Sequence, residues 1–201
     1  LDSFWSVKKT IEPNLAKMFS ETPQTKFEIR QTESFREATA SAEYNQGSED
    51  GTRPGIFYTP IIDAKEFNAV GMETLFLHEA IPGHHYQISL QQENKNLPQF
   101  RKFLDYSAYA EGWALYTETL GKELGLYKDP YQYLGHLSDA MHRAIRLVVD
   151  AGLHSKTMTR EEAIDYMMAN ERITKPEATA EIERYMAIPG QALSYYIGKM
   201  S

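Results

Sequence analysis

The sequence predicts a mainly helical α+β fold with a small antiparallel β-sheet near its N-terminus. Apolar residues recur at helical spacing from about residue 63 to the C-terminus. Short alternating stretches separated by turn-forming residues occupy residues 27–61. The chain has 201 residues, of which 42% are hydrophobic, and this suits one domain. We expect that domain to comprise an N-terminal helix with the sheet (residues 1–62) and a helical part (63–201).

The N-terminal part begins with a predicted helix over residues 3–19. Its apolar positions follow helical spacing: Phe4, Val7, Ile11, Leu15 and Met18. Pro13 lies inside this run, so we expect either a kinked helix or two short helices. Strands are predicted at residues 27–30, 38–44 and 55–61, with a turn-rich connection at 45–51.

The remaining residues predict a series of helices. Thr159 and Glu162 form a capping box, Asp129-Pro130 is typical of a helix start, and Gly125 is typical of a helix end. The predicted helices are 64–78 with a continuation to 93, then 99–105, 107–125, 130–152, 159–170, 174–186 and 191–199.

Composition excludes several classes of function. The net charge is −7 and no stripe of Lys and Arg is present, so the sequence does not favour nucleic-acid binding. Cysteine is absent, which excludes disulfides and thiolate zinc sites. No apolar run approaches the roughly 20 residues of a membrane span. Because the chain opens at Leu1 without Met, we expect it to be a fragment or a trimmed form.

Residues 78–85, HEAIPGHH, contain three of the six histidines. A zincin signature, H-E-x-x-H, would place a second histidine where Pro82 stands. On a straight helix His85 would lie roughly 10 Å from His78 along the axis. Pro82 and Gly83 therefore predict a broken turn that brings His84 to the ion held by His78, with His85 as the alternative ligand.

A hydrolytic zinc site uses three protein ligands and an open position for water. Glu111 is the predicted third ligand, because it lies on a helix among small residues that allow close approach. Glu118, two turns further on, is the alternative. Glu79 is the predicted general base, which would take a proton from the metal-bound water and pass it to the leaving amine.

Further candidates lie near the C-terminus. Arg146, Asp150 and His154 follow four-residue steps and share a helix face, so Asp150 could orient His154 and Arg146 could receive a substrate carboxylate. Tyr195 follows a Pro-Gly turn and, with His154 and Arg146, is a candidate donor to an oxyanion. We expect His85 to contact substrate if it is not a ligand. His136 and His142 are expected to be structural.

The HEAIPGHH motif resembles the H-E-x-x-P-G-H-H signature of the bacterial domain of unknown function 885 family. Further matching stretches are GTRPGIFY (51–58), YAEGWALY (109–116), RLVVDAGLH (146–154) and PGQALSY (189–195). The match at 109–116 favours Glu111 over Glu118. The resemblance implies a fold similar to gluzincin metallopeptidases such as carboxypeptidase Taq, with the sheet beside the metal helix and an edge strand able to pair with a peptide.

The resemblance also implies that this chain is the C-terminal part of a longer helical protein whose N-terminal region completes the cleft. It favours a periplasmic or lipid-anchored location. The predicted function is a zinc-dependent peptidase acting on a peptide or small amide, and a carboxypeptidase or dipeptidase if Arg146 binds a terminal carboxylate. The alternatives are a non-catalytic helical domain and a metal-dependent hydrolase of a non-peptide amide or ester.

Overall fold

A computed structural model describes residues 1–38, 40–65 and 67–201, and α-helices account for most of them. The helices are α1 (Asp2–Leu15), α2 (Met72–Glu79), α3 (His84–Glu93), α4 (Gln99–Phe103), α5 (Ser107–Glu118), α6 (Pro130–His154), α7 (Arg160–Asn170), α8 (Lys175–Ala187) and α9 (Ser194–Met200), with a 3₁₀ turn at Gln191–Leu193 before α9. The prediction of a mainly helical α+β fold is confirmed.

Within the described parts of the chain, the sheet has three strands, and it is mixed rather than antiparallel. β1 (Phe27–Gln31) runs parallel to β3 (Gly55–Thr59), and β2 (Glu43–Asn45) runs antiparallel on the other side of β3. The antiparallel prediction was therefore wrong for the β1–β3 pair, because alternation along a strand does not encode its direction or its neighbour. The strand predicted at 38–44 is shorter and later, and Thr39 lies outside the described residues.

The first hydrophobic core joins α1 to the sheet and to α2. Phe4 of α1 packs edge-on against Phe57 of β3, with ring centroids 5.2 Å apart, and against Phe76 of α2. Helix α1 passes through Pro13 and ends two residues later, so it is one helix and shorter than predicted. This core fixes the position of α2, which carries His78.

A second core joins α6, α7 and α8. It contains Val149 of α6, Met167 of α7 and Ile182 of α8, each fully buried. The predicted capping box at Thr159 and Glu162 is formed, and Thr174 and Glu177 form another. Both boxes satisfy backbone N–H groups that a helix start otherwise leaves free.

Two predicted helices are shorter than expected. Helix α2 begins at Met72 rather than near residue 64, directly after Gly71, whose φ of +88° is outside the helical region. Glu66, inside the predicted segment, lies outside the described residues. Helix α5 ends at Glu118, and turns lead from there to Gly125, whose φ is +89°. Among the described residues, no helix is both long and apolar enough to cross a bilayer.

Candidate metal centre

The helix that carries the HEAIPGHH motif is interrupted between Glu79 and His84. Pro82 has no N–H to donate to the carbonyl of His78, so the helical hydrogen-bond pattern cannot continue through this residue. A Cβ atom at position 83 would overlap the carbonyl oxygens of Leu77 and His78, so the chain can pass there only with glycine. The predicted break at Pro82-Gly83 is present: α2 ends at Glu79 and α3 begins at His84.

Side chains of α5 bond to carbonyl groups at this break. The hydroxyl of Thr117 donates to the carbonyl of Leu77 at 3.0 Å, and the indole N–H of Trp113 donates to the carbonyl of Pro82 at 2.8 Å. A buried carbonyl without a partner is costly, so these bonds help to stabilise the irregular turn. They also hold α5, and with it Glu111, against the turn.

The break brings His78, His84 and Glu111 together. Glu111 Oε2 lies 3.4 Å from His78 Nε2 and 3.4 Å from His84 Nε2, and the three ligand atoms lie within 4.8 Å of one another. The two imidazole rings meet edge to face at 88°, with centroids 4.8 Å apart. His85, the alternative ligand, points elsewhere: its Nδ1 lies 2.9 Å from the hydroxyl of Tyr44, and its ring packs on Phe27.

The charges around this group favour a cation. Burial acts against a charged imidazole, but the carboxylates of Glu111 and Glu118 outweigh it and raise the pKa of His78 to about 10, with a further contribution from Glu79. Burial acts to raise the pKa of Glu111, yet its contacts with His78 and His84 lower it well below the usual range. A protonated His78 therefore balances part of the negative charge of these carboxylates, and a bound metal cation would take over that role.

The three side chains fit a zinc ion. Two imidazole nitrogens and one carboxylate oxygen form a donor set typical of hydrolytic zinc sites. Zinc bonds of about 2.0–2.1 Å place neighbouring ligands of a tetrahedron roughly 3.3–3.4 Å apart, which matches the separation of each histidine nitrogen from Glu111 Oε2. Glu111 Oε2 is buried and has no hydrogen-bond partner among the described residues, so an ion would satisfy it.

Glu79 and Glu118 lie close to this group in different ways. Glu79 is the last residue of α2 and is buried, and no described residue hydrogen-bonds to its carboxylate. Glu118 is completely buried on α5, and its Oε1 lies 2.7 Å from His78 Nδ1. Glu118 therefore contacts Nδ1 of His78, whereas Glu111 faces Nε2 on the other side of the ring. The sequence placed Glu118 on the correct helix face but as an alternative ligand.

Helix α9 brings Tyr195 to the site. Gly112 of α5 faces Gly198 of α9, and a Cβ atom on either would overlap the backbone of the other helix. This close approach lets the ring of Tyr195 stack on that of His78, with centroids 6.1 Å apart. Burial and the charge of Glu111 raise the pKa of the Tyr195 phenol, which therefore stays protonated at neutral pH.

Two arginines of α6 lie over Tyr195. The guanidinium carbon of Arg146 is 4.3 Å from the ring centroid and that of Arg143 is 5.7 Å away. Arg146 is 3% exposed and donates to Gln191 at 2.8 Å, and no described carboxylate pairs with it. The sequence did not identify Arg143 as a residue near the site. Its position, seven residues after His136, indicated only that the two share a face of α6.

His154 does not join the group around His78. Its Nδ1 lies 2.8 Å from Asp150 Oδ1, as the four-residue spacing predicted, and its side chain is 32% exposed. No contact links His154 to His78, His84 or Glu111 among the described residues. His136 and His142, for which the sequence predicts a structural role, also lie outside the group.

A cavity of about 350 Å³ adjoins the candidate metal centre. His84 and Glu111 form part of its wall, together with Tyr44 of β2 and the following Gln46. Strand β2 is an edge of the sheet, so no strand among the described residues uses its outer backbone groups. The cavity therefore connects two of the three candidate ligands, His84 and Glu111, with a strand edge.

Two solved structures are similar to this chain. A proposed lipoprotein from Colwellia psychrerythraea shares 41% identity and a TM-score of 0.93 over 99% of this chain and 34% of that one. A proposed lipoprotein of unknown function from Shewanella oneidensis shares 26% identity and a TM-score of 0.74 over 99% of this chain and 38% of that one. This chain thus spans about a third of the length of these relatives.

No curated protein matches the chain. The profile of one family does match, and it covers residues 1–201. The chain therefore belongs to DUF885, a family of bacterial proteins of unknown function.

Proposed function

We propose that this chain carries the metal centre of a zinc-dependent peptide hydrolase. The observation that carries the proposal is the convergence of His78, His84 and Glu111, with 3.4 Å between each histidine nitrogen and Glu111 Oε2. In this proposal those three residues hold the ion. When bound, zinc supplies an acidified water molecule and polarises the carbonyl that is attacked.

Glu79 is the proposed general base. It follows His78 directly, it is buried, and its carboxylate is free of hydrogen bonds with the described residues. Its charge also acts on His78, which indicates that it lies near the site. In this role the carboxylate of Glu79 takes a proton from the attacking water and delivers it to the leaving nitrogen.

Tyr195 is the proposed donor to the oxygen that becomes negative during attack. Its ring stacks on His78, and its phenol keeps its proton because burial raises its pKa. A phenol O–H next to a developing oxyanion stabilises it by a hydrogen bond. The nearby positive charges of Arg143 and Arg146 would strengthen this effect.

A short peptide is the proposed substrate. The 350 Å³ cavity beside His84 and Glu111 has room for a few residues, and the free edge of β2 could pair with an extended backbone. Arg146 is a buried cation without a carboxylate partner among the described residues, an arrangement that suits a substrate with a free terminal carboxylate. This supports a carboxypeptidase or dipeptidase as the finer proposal.

The longer relatives bear on the cleft and on location. About two thirds of each relative lies outside the matched region, so we propose that additional polypeptide in a full-length protein completes the substrate cleft. Both relatives are proposed lipoproteins, which supports a periplasmic or lipid-anchored location for this protein.

The test combines metal content with hydrolysis. Zinc per chain is measured after dialysis, and short peptides with free or amidated C-termini are then screened with the zinc-loaded protein. Replacing Glu79 by Gln is expected to lower hydrolysis by about 100- to 10,000-fold, because a general base is lost. Zinc content should stay unchanged.

Glu123→Gln, on an exposed glutamate beyond α5, is the matched control and should retain activity. A wild-type protein that binds no zinc would contradict the metal centre. Equal hydrolysis by wild type and Glu79→Gln would contradict the role of Glu79. Equal cleavage of free and amidated peptides would contradict the terminal-carboxylate proposal.

A further inference from the structure

Glu118 is a fully buried carboxylate that contacts a candidate metal ligand from behind. Its Oε1 lies 2.7 Å from His78 Nδ1, whereas His78 Nε2 faces Glu111 at 3.4 Å. We propose that Glu118 is a positioning residue, which fixes the ring of His78 so that Nε2 is directed at the metal. The inference rests on the proposed function, since it assigns a role within the same site.

The tautomer of His78 gives the physical reason. A neutral imidazole carries its proton on one nitrogen and a lone pair on the other, and only the lone pair can bind a metal. Because Glu118 Oε1 accepts a hydrogen bond from Nδ1, the proton is held there and the lone pair is left on Nε2. The same bond fixes the rotation of the ring.

Helix α5 delivers both carboxylates. Glu111 and Glu118 are seven residues apart, so they lie on one face and about two turns apart along the axis. Glu111 reaches the ligand side of His78, and Glu118 reaches the opposite side. The hydrogen bonds that Trp113 and Thr117 donate at the helix break hold the intervening part of α5 in place.

Stability alone does not explain a carboxylate in this position. The side chain of Glu118 is 1% exposed, and its Oε2 has no hydrogen-bond partner among the described residues. His136 Nδ1 lies 3.9 Å from Oε2, beyond hydrogen-bond distance, and has no hydrogen-bond partner of its own among the described residues. Burying a partly satisfied charge is costly, so an apolar residue would serve packing better.

His84 lacks a comparable support. Its Nδ1 is buried and makes no hydrogen bond with a described residue, and its ring packs perpendicular to that of His78, with centroids 4.8 Å apart. The ring of His78 therefore helps to orient that of His84. Loss of Glu118 should then loosen both nitrogen ligands.

The test measures zinc affinity by competition with a chromophoric chelator. The proteins compared are wild type, Glu118→Gln, Glu118→Ala and, as a matched control, Asp150→Asn. Asp150 is also a buried carboxylate bonded to a histidine Nδ1, at 2.8 Å, but its partner His154 lies outside the group of three ligands. We expect Glu118→Ala to weaken zinc binding by about 10- to 100-fold. Asp150→Asn should change it by less than about 2-fold.

Glu118→Gln keeps the shape and one acceptor oxygen, so its zinc affinity should lie between those of wild type and Glu118→Ala. Imidazole ¹⁵N shifts of the zinc-loaded protein provide a second readout. In wild type, Nε2 of His78 should show the shift of a zinc-bound nitrogen and Nδ1 that of a protonated nitrogen, whereas Glu118→Ala should show a mixture of the two assignments. If Glu118→Ala does not fold, the affinity and ¹⁵N shifts of Glu118→Gln decide the question.

The outcomes separate the two proposals. Absence of zinc binding in wild type would overturn the proposed function. Zinc binding in wild type together with unchanged affinity and unchanged ¹⁵N shifts in the Glu118 variants would overturn only the positioning role. A loss of affinity in Asp150→Asn equal to that in Glu118→Ala would also overturn it, because the effect would then follow from removing any buried carboxylate.

Discussion

Two carboxylate–histidine pairs lie in different regions of this molecule. Glu118 and His78 join α5 to α2 across 40 residues, and both side chains are buried. Asp150 and His154 are one turn apart on α6, and the histidine is 32% exposed. The hydrogen-bond lengths are nearly equal, at 2.7 Å and 2.8 Å. The two pairs differ at the other nitrogen of the imidazole ring. Nε2 of His78 faces the carboxylate of Glu111, whereas His154 lies outside the group of candidate ligands.

The difference arises from the backbone. Helix α6 continues without interruption from Pro130 to His154, so its side chains can meet only at helical spacing. The helix is interrupted between α2 and α3. This interruption lets His78 and His84, six positions apart, approach the carboxylate of Glu111. A break in a helix can thus assemble a site that no regular helix could form.

The largest expected effect comes from closing the space at this break. Gly83→Ala should lower the free energy of unfolding by about 3 kcal/mol, because the new Cβ would overlap backbone carbonyl oxygens that cannot move aside. Chemical denaturation in the presence of EDTA measures this effect without any contribution from metal.

Gly152→Ala on α6 is the matched control. The added Cβ would meet the flexible side chain of Met158, and alanine is the better helix former, so stability should change by less than about 1 kcal/mol. If the free energy of unfolding fell by similar amounts in the two variants, the helix break would tolerate an added Cβ atom as well as the regular helix does.

Removing a candidate ligand should have the next largest effect. His84→Ala is expected to weaken zinc binding by at least about 100-fold. Removing a residue that only hydrogen-bonds to a metal ligand already lowers metal affinity by roughly 10- to 100-fold, and loss of a ligand itself should cost more. Isothermal titration with zinc measures the change.

The neighbouring histidine provides the control. His85 is buried against Phe27 and Tyr44, so His85→Ala should cost about 2 kcal/mol of stability. Its zinc affinity should stay within about 2-fold of wild type. If His85→Ala instead lost zinc and His84→Ala retained it, the ligand assignment would have to be reversed.

The smallest effect is expected at the end of α6. His154→Ala removes a partly exposed pair within one helix, so the free energy of unfolding should fall by only about 0.5 kcal/mol. Zinc affinity and peptide hydrolysis should stay unchanged. A large loss of hydrolysis in His154→Ala would restore this residue as a catalytic candidate, as the sequence first suggested.

Much of the fold could be predicted because it depends on local signals. The capping box at Thr159 and the Asp129-Pro130 start gave the beginnings of α7 and α6 within a residue. The direction of β1 relative to β3 could not be predicted, since pairing in a sheet depends on where the intervening chain travels. Likewise the left-handed conformation of Gly71, which precedes α2, was not anticipated.

The candidate site was predictable in its residue types and less so in its contacts. The motif HEAIPGHH predicted a helix break at Pro82-Gly83 and favoured His84 over His85 as a ligand. The structure brings His84 together with His78 and Glu111. The contact of Glu118 with the far side of His78, and the stacking of Tyr195 and Arg146 beside it, could not be read from spacing. These contacts join helices that lie far apart in the sequence.

The sequence by itself determined most of the helices, two of their capping boxes, the interruption at Pro82-Gly83 and the set of candidate metal-binding side chains, because each depends on a few neighbouring residues. Only the tertiary structure decided which nitrogen of His78 faces Glu111 and which faces Glu118. That choice depends on the packing of α5 against α2. Water is excluded there, so buried polar atoms of one helix form hydrogen bonds with atoms of the other.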